Sequence, residues 1–141
     1  MISYWDTSAL IPCFVSEIGT NDMLTLLQEE SDSVRYTSWL TLIEFEGVLR
    51  RKLNQKSIDQ GEYESIQDKW TELQNSFNFI PLDSRTARIA LRFQKLYLLR
   101  PYDSIQLGCA ALIQLDNPDL NFVCLDEKLC RLAKQEGMKI K

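Results

Sequence analysis

Five short apolar runs along the chain predict β-strands. Each run is three to six residues long, which is the usual length of a strand and far too short for a buried helix. The runs are Ile2–Trp5, Val34–Thr37, Phe77–Leu82, Phe122–Leu125 and Met138–Ile140.

Six longer stretches between these runs carry apolar residues at spacings of three and four, which predicts α-helices. They are Asn21–Glu30, Leu40–Leu53, Asp59–Asn75, Thr86–Leu99, Ser104–Leu115 and Glu127–Glu136. Pro101 and Pro118 follow two of these stretches, where proline stops a helix, and Gly137 is the expected C-cap of the last one.

Strands that are separated by helices pair in parallel and are joined by right-handed crossovers. The alternation therefore predicts an α/β fold, a three-layer α/β/α sandwich with a central, mostly parallel five-stranded sheet, formed by residues 1–141 as a single domain. In open sheets of this kind, ligands bind at the carboxyl ends of the strands, where the strand order reverses.

The composition narrows the classes of function. The 141 residues are 45% hydrophobic and 26% charged, which suffices to bury one sizeable core. No apolar run approaches the roughly 18 residues of a membrane span and no signal peptide is visible, so we expect a cytoplasmic protein without a membrane contact. The net charge of −4 argues against a general basic nucleic-acid binder, but not against an enzyme that holds nucleic acid through a metal ion.

The chain contains no histidine, which excludes Ser-His-Asp and Cys-His catalysis and zinc held by histidine. Its four cysteines form no Cys-x-x-Cys pair and lie among apolar residues, so we predict that they are reduced and buried. They are Cys13, Cys109, Cys124 and Cys130. Polar chemistry must therefore use carboxylates, hydroxyls, thiols, lysines or arginines.

Four acidic positions are predicted near the carboxyl edge of the sheet. Asp6 follows the first strand run, and Asp126 follows the fourth. Asp103 opens the fifth predicted helix, and Glu44 lies one turn inside the second, which is apolar nearly all round. Apolar residues also flank Glu46 on the same helix, so periodicity alone does not show which of the two glutamates is buried.

Each acid also has a purely structural explanation. An aspartate at the start of a helix is a common N-cap, and Asp103 with Gln106 resembles a capping box. Arg50 and Arg51 could neutralise a carboxylate on the second helix. A cluster of carboxylates, however, is self-repelling and needs a cation, and a hard divalent ion such as Mg²⁺ or Mn²⁺ fits oxygen ligands. Without histidine, such an ion is the simplest catalytic device.

Four blocks occur in order over almost the whole chain. Tyr4–Leu10 reads Tyr-Trp-Asp-Thr-Ser-Ala-Leu, and Ser38–Glu44 reads Ser-Trp-Leu-Thr-Leu-Ile-Glu. Tyr102–Leu107 begins Tyr-Asp-Ser before an apolar helix, and Phe122–Leu129 is an apolar strand followed by an acid and a leucine-bearing helix. Together the blocks resemble the PIN-domain family and, within it, the VapC-like toxin ribonucleases of type II toxin–antitoxin systems.

The resemblance implies a sheet order of 3-2-1-4-5, with the reversal between the first and fourth strands. It also selects Glu44 over Glu46. The implied catalytic residues and ligands of Mg²⁺ or Mn²⁺ are Asp6, Glu44, Asp103 and Asp126, with Asp126 in the outer shell or at a second ion.

The resemblance further implies a metal-dependent endoribonuclease. A metal-activated water would attack phosphorus in RNA and leave a 5′-phosphate and a 3′-hydroxyl. Thr7 and Ser8 would orient Asp6 or contact phosphate, and Ser38 would act likewise. The implied partners are an RNA substrate, a small antitoxin protein and a second copy of the chain in a homodimer.

Basic residues lie on one predicted helix face and continue toward Asp103. They are Arg85, Arg88, Arg92, Lys95 and, beyond the helix, Arg100. Such a stripe is either an ordinary solvated face or a track for the RNA backbone, and the spacing is compatible with both.

The chain lacks residues that two other functions of α/β domains require. A two-component receiver domain needs a second acid beside the first strand, and Ile2–Trp5 supplies none. A haloacid-dehalogenase-type phosphatase needs Asp-x-Asp after that strand, and Ser8 stands at the second position. The alternative that keeps the fold is a catalytically degenerate PIN-like scaffold that binds other proteins.

Overall fold

Five parallel strands form the centre of the computed structural model, which describes all 141 residues. The strands are β1 (Ile2–Trp5), β2 (Val34–Ser38), β3 (Asn78–Ile80), β4 (Asn121–Val123) and β5 (Lys139–Ile140). Their order in the sheet is β3-β2-β1-β4-β5, and every neighbouring pair is parallel. The predicted α/β fold and the strand order are confirmed.

Seven α-helices surround the sheet. They are α1 (Thr7–Leu10), α2 (Thr20–Glu29), α3 (Trp39–Asn54), α4 (Gln60–Gln74), α5 (Ser84–Leu96), α6 (Pro101–Asp116) and α7 (Glu127–Gln135), and a 3₁₀ helix (Ile11–Cys13) follows α1. The pattern did not predict α1 or the 3₁₀ helix, because three or four residues are too few to show helical periodicity. None of the helices combines the length and the apolar character that crossing a bilayer requires.

Alternate residues of the central strands build two separate cores. On β1, Tyr4 packs into the core that α5, α6 and α7 cover, whereas Trp5 packs into the core that α2, α3 and α4 cover. On β4, Phe122 and Val123 divide in the same way. Successive side chains of a strand point to opposite faces of the sheet, so this alternation produces the three layers.

Helix α6, whose first turn carries Asp103, begins at a different residue from the predicted one. Helix α6 begins at Pro101 rather than Ser104, since proline has no amide hydrogen to lose and its fixed φ suits the first helical position. Arg100 is the N-cap of α6, although its side chain makes no capping hydrogen bond to the helix backbone, and Asp103 lies inside the first turn. The prediction that Asp103 and Gln106 form a capping box is therefore wrong.

The boundaries of three further elements, β3, β4 and α5, are shifted. Strand β3 covers Asn78–Ile80 instead of residues 77–82, and β4 ends at Val123, so Asp126 follows it only after two intervening residues. Helix α5 begins at Ser84 and not at residue 86, because the Asp83 side chain accepts the amide hydrogens of the first turn as its N-cap.

All four cysteines are free thiols. Cys109 and Cys124 are buried as predicted, whereas Cys13 and Cys130 are only partly buried. The thiols on either side of Asp126 bond to backbone: Cys124 Sγ donates to the Asp126 carbonyl at 3.1 Å, and Cys130 Sγ donates to the Cys124 carbonyl at 3.2 Å. These bonds join the segment after β4 to α7.

Gly108 lets α5 and α6 approach closely. A Cβ at this position would lie 3.0 Å from the backbone nitrogen of Ala90 and 3.1 Å from its Cα. We expect Gly108→Val to lower the free energy of unfolding by about 1–3 kcal/mol, the usual cost of overpacking a core. Urea unfolding measures this, with Gly61→Val on α4 as the matched control, because a Cβ there would meet only Asp59 Oδ1, at 3.4 Å. Equal losses in both variants would contradict the prediction.

Candidate active site

The four predicted acids line one cavity, which has a volume of about 570 Å³. Asp6 follows β1, Glu44 lies in α3, Asp103 lies in the first turn of α6, and Asp126 precedes α7. The cavity is therefore at the carboxyl edge of the sheet, where the strand order reverses between β1 and β4. The structure thus brings together acidic side chains that are up to 120 positions apart in the sequence.

Asp6 is a buried carboxyl group that is both a helix cap and part of the cavity wall. It is 5% exposed, and its Oδ2 accepts hydrogen bonds from the backbone nitrogen of Ser8 at 3.2 Å and from Ser8 Oγ at 2.6 Å. Burial raises the pKa of Asp6 to about 7; the bonds from Ser8 oppose the shift, while the negative charges of Glu44 and Asp103 add to it. A nearby cation would stabilise the ionised form of Asp6.

Glu44 and Glu46, which periodicity could not separate, have different surroundings. Glu44 lines the cavity, and its Oε1 accepts hydrogen bonds from Thr7 Oγ1 at 3.0 Å and from Gln106 Nε2 at 2.7 Å. Glu46 instead accepts from Tyr63 Oη and from Gln67 Nε2, both on α4. Glu46 therefore joins α3 to α4, and only Glu44 belongs to the acidic cavity.

Arg100 lies between the other two acids of the cavity. Its Nε donates to Asp103 Oδ2 at 3.0 Å, and its Nη2 lies 3.8 Å from Asp126 Oδ2. Asp126 is also the N-cap of α7, since its Oδ1 accepts from the backbone nitrogen of Leu129 at 3.0 Å. The hydrogen bond and the charge of Asp103 raise the pKa of Arg100, so its guanidinium stays positive beside both carboxylates.

The three predicted supporting hydroxyls have different positions. Ser8 holds Asp6, and its Oγ also accepts from the backbone nitrogen of Leu125 at 3.0 Å. Thr7 bonds to Glu44 and not to Asp6. Ser38 is the N-cap of α3, where its Oγ accepts from the backbone nitrogen of Leu40 at 3.1 Å, and it does not line the cavity.

Only part of the predicted basic stripe reaches the cavity. Arg100 lines it, and so does Arg51, which the sequence suggested as a neutralising charge on α3 and as a member of a second basic group, with Arg50, Lys52 and Lys56. The four stripe residues on α5 are exposed and lie outside the lining; they are Arg85, Arg88, Arg92 and Lys95.

Gln106 is a site residue that the pattern misassigned. It is fully buried in α6, and its amide nitrogen lies 2.7 Å from Glu44 Oε1 and 3.2 Å from Thr7 Oγ1. The only indication of this role in the sequence is that Gln106 is a polar residue within an apolar stretch of a predicted helix. A buried polar group needs partners, and these partners are found only across the fold.

The chemistry of the acids suits a hard divalent ion. Each of Asp6, Glu44 and Asp103 uses one carboxylate oxygen in the side-chain hydrogen bonds above, and the second oxygen has no hydrogen-bond partner. In the arrangement that the structure has, no three acidic or thiol side chains form a group that could hold a metal ion. The donor set therefore fits Mg²⁺ or Mn²⁺ in its chemistry, and ligation would require these side chains to draw closer.

Comparisons with known proteins agree with the observed fold. The family model described as PIN domain matches residues 3–135. No curated protein matches the chain. A solved structure of VapBC2 from Rickettsia felis, bound to a DNA fragment from their promoter, is similar with a TM-score of 0.71 and 12% identity, covering 100% of this chain and 98% of that chain. The VapBC-5 toxin–antitoxin structure from Mycobacterium tuberculosis is similar with a TM-score of 0.62 and 17% identity, covering 99% and 96%.

Proposed function

This chain belongs to the PIN domain family, and we propose that it is a metal-dependent endoribonuclease that acts as the toxin of a toxin–antitoxin pair. Members of the family are typically nucleases. The observation that carries the proposal is the single cavity lined by Asp6, Glu44, Asp103 and Asp126 at the reversal point of the sheet. The solved structures support the fold, and because both are VapBC proteins, which the Mycobacterium tuberculosis structure places among toxin–antitoxin systems, they also support the choice of this branch of the family.

Asp6, Glu44 and Asp103 would hold Mg²⁺ or Mn²⁺, with Asp126 in an outer position. When bound, the ion would polarise a phosphoryl oxygen and make water a better nucleophile at neutral pH. The protein's own part is to aim the carboxylates: Ser8 fixes one oxygen of Asp6, and Thr7 fixes one oxygen of Glu44. The remaining oxygens are then the ones available to a cation.

Two arginines line the acidic cavity and would hold the RNA phosphate. A guanidinium group donates in a fork that matches phosphate oxygens. Arg100 is mostly exposed, so its head can turn from the carboxylates toward an incoming phosphate once another cation neutralises Asp103. Arg51 lines the cavity from α3 and adds positive charge.

The exposed face of α5 would extend this binding surface along the RNA backbone. We expect the double substitution Arg88→Ala/Arg92→Ala to weaken RNA binding and to reduce the magnitude of the slope of log K against log salt by about 1.4–1.8, because each lost phosphate contact releases about 0.7–0.9 fewer counterions. Fluorescence anisotropy over a range of salt concentrations measures both quantities. The control Lys139→Ala/Lys141→Ala removes the same charge from the β5 end of the molecule, where Lys139 faces Asp119. If the two double variants had identical slopes, α5 would not be part of the RNA-binding surface.

A small antitoxin and a second copy of the chain are the proposed protein partners. Ile43 and Tyr102 line the cavity although they are 72% and 56% exposed, and exposed apolar side chains beside a polar site are typical of a surface that another protein covers. A basic or aromatic tail of the antitoxin would complement the acidic cavity. Sedimentation should show about twice the 16.4 kDa mass of the chain if it forms a homodimer.

Cleavage by the purified protein tests the proposal directly. Structured and unstructured RNAs are incubated with Mg²⁺, with Mn²⁺ or with a chelator, and the product ends are identified. We expect internal cleavage with either ion, no cleavage with the chelator, and none by Asp103→Asn. A protein that neither cleaves RNA nor gains stability from either ion would instead be the catalytically degenerate scaffold.

A further inference from the structure

Gln106 lies where the three elements that carry Asp6, Glu44 and Asp103 meet. It is one turn along α6 from Asp103, and its side chain is 0% exposed. An amide buried among apolar residues costs free energy unless its donors and acceptor are hydrogen-bonded. The hydrogen-bond partners of Gln106 therefore indicate its structural role.

The hydrogen bonds of Gln106 fix both its position and its orientation. Its Nε2 lies 2.7 Å from Glu44 Oε1, 3.0 Å from Thr41 Oγ1 and 3.2 Å from Thr7 Oγ1. Its Oε1 accepts from Tyr4 Oη at 2.5 Å. The amide hydrogens therefore face Glu44, and the amide oxygen faces the Tyr4 hydroxyl.

Tyr4 is suited to this task. Its side chain is fully buried on β1, two residues before Asp6, and its hydroxyl donates to the amide oxygen of Gln106, which can only accept. The chain of bonds from Tyr4 through Gln106 to Glu44 thus connects β1, α6 and α3 with a fixed direction of donation.

We infer that Gln106 is a positioning residue for the metal site, holding Oε1 of Glu44 against the protein so that Oε2 is presented to a divalent ion. The inference rests on the proposed function, since it takes Glu44 as a ligand. Residues that hold a ligand by hydrogen bonds typically contribute about 10–100-fold to metal affinity or activity.

Binding of Mn²⁺ alone, measured by electron paramagnetic resonance, tests this role without RNA. We expect Gln106→Leu to raise the Kd for Mn²⁺ about 10–100-fold. The matched control is Gln114→Leu, also on α6, where the amide donates to the Glu136 carbonyl at 3.0 Å, away from the cavity. Its Kd should equal that of the wild type. Circular dichroism and urea unfolding show whether each variant is folded.

A double-mutant cycle separates positioning from general packing. In a Glu44→Gln background, Gln106→Leu should weaken Mn²⁺ binding no further, because the side chain it positions no longer carries a ligand charge. An unchanged Kd in Gln106→Leu, or the same fold-loss with and without Glu44, would overturn the inference. If Gln106→Leu does not fold, Gln106→Asn keeps the amide but withdraws it by one methylene, and it should still raise the Kd.

Failure of the inference and failure of the proposed function give different results. Mn²⁺ binding that depends on Gln106, together with no RNA cleavage, supports the inference and contradicts the nuclease. RNA cleavage with an unchanged Kd in Gln106→Leu overturns the inference and leaves the nuclease standing. A wild type that binds no Mn²⁺ overturns both.

Discussion

Glu44→Gln should reduce metal-dependent RNA cleavage by more than about 100-fold, because loss of a direct ligand should exceed the 10–100-fold cost of losing an outer-shell partner. Glu46→Gln, two positions along the same helix, should change the rate by less than about 3-fold. Both substitutions remove one charge and keep the shape of the side chain. Glu46 accepts from Tyr63 with Oε1 and from Gln67 with Oε2, so a glutamine keeps an acceptor for one of these bonds, and the bond that is lost joins α3 to α4 outside the acidic cavity.

Single-turnover cleavage at saturating Mg²⁺ measures this contrast, and urea unfolding shows that the two variants are equally folded. The comparison is sharp because the sequence pattern alone treated the two glutamates as equivalent. Equal losses in both variants would mean that the acidic cavity is not where the reaction occurs, and the assignment of Glu44 would fail.

Asp6→Asn should stabilise the metal-free protein at pH 8, by up to about 4 kcal/mol, although it removes a proposed metal ligand. The pKa of Asp6 is about 7 in the folded protein against 3.8 as its ordinary value. A shift of roughly three units corresponds to that free energy, at about 1.36 kcal/mol per unit. Asparagine resembles the protonated side chain and avoids the cost of a buried charge.

The pH dependence follows from the direction of this shift. Between about pH 4 and pH 7 the folded protein keeps the Asp6 proton while the unfolded chain releases it, so folding takes up a proton and stability falls as the pH rises. Above pH 7 both states are ionised and the loss is constant. The difference in stability between Asp6→Asn and the wild type should therefore grow from pH 4 to 7 and then level off.

Urea unfolding in a chelator at several pH values measures this difference, and the same series with Mg²⁺ completes the test. A bound ion stabilises the folded state by mass action, about 2.7 kcal/mol at 100 times its Kd, so Mg²⁺ should offset the cost in the wild type but not in Asp6→Asn. Parallel pH profiles for the two proteins, or equal responses to Mg²⁺, would contradict the prediction. The expected result is that the buried Asp6 carboxylate destabilises the metal-free protein and that binding of Mg²⁺ offsets this cost.

Local patterns in the sequence determined the architecture. Alternating strand and helix periods predicted a parallel sheet between helical layers, and β1 occupies the run from Ile2 to Trp5 that its apolar residues indicate. Asp6 was placed at the carboxyl edge because it directly follows that strand. These features depend on neighbours within a few positions, and such interactions can be read from the order of residues.

Features with weak local signals were missed or shifted. Helix α1 is too short to show a period, and Pro101, expected only to stop a helix, begins α6. Proline ends one helix and suits the first turn of another for the same reason, its missing amide hydrogen. The pattern therefore located the break but not the element to which the residue belongs.

Only the tertiary structure decided the contacts within the site. It gave the physical reason for the choice of Glu44 over Glu46, which periodicity could not make and which had rested on the resemblance alone, since their partners lie on different helices. It also turned Gln106 from an expected capping residue into the buried link between Tyr4 and Glu44. It also placed Arg100 against two acids and left the stripe on α5 outside the cavity. These contacts join residues that are as many as 102 positions apart, and hydrogen bonds over such separations leave no periodic trace in the chain.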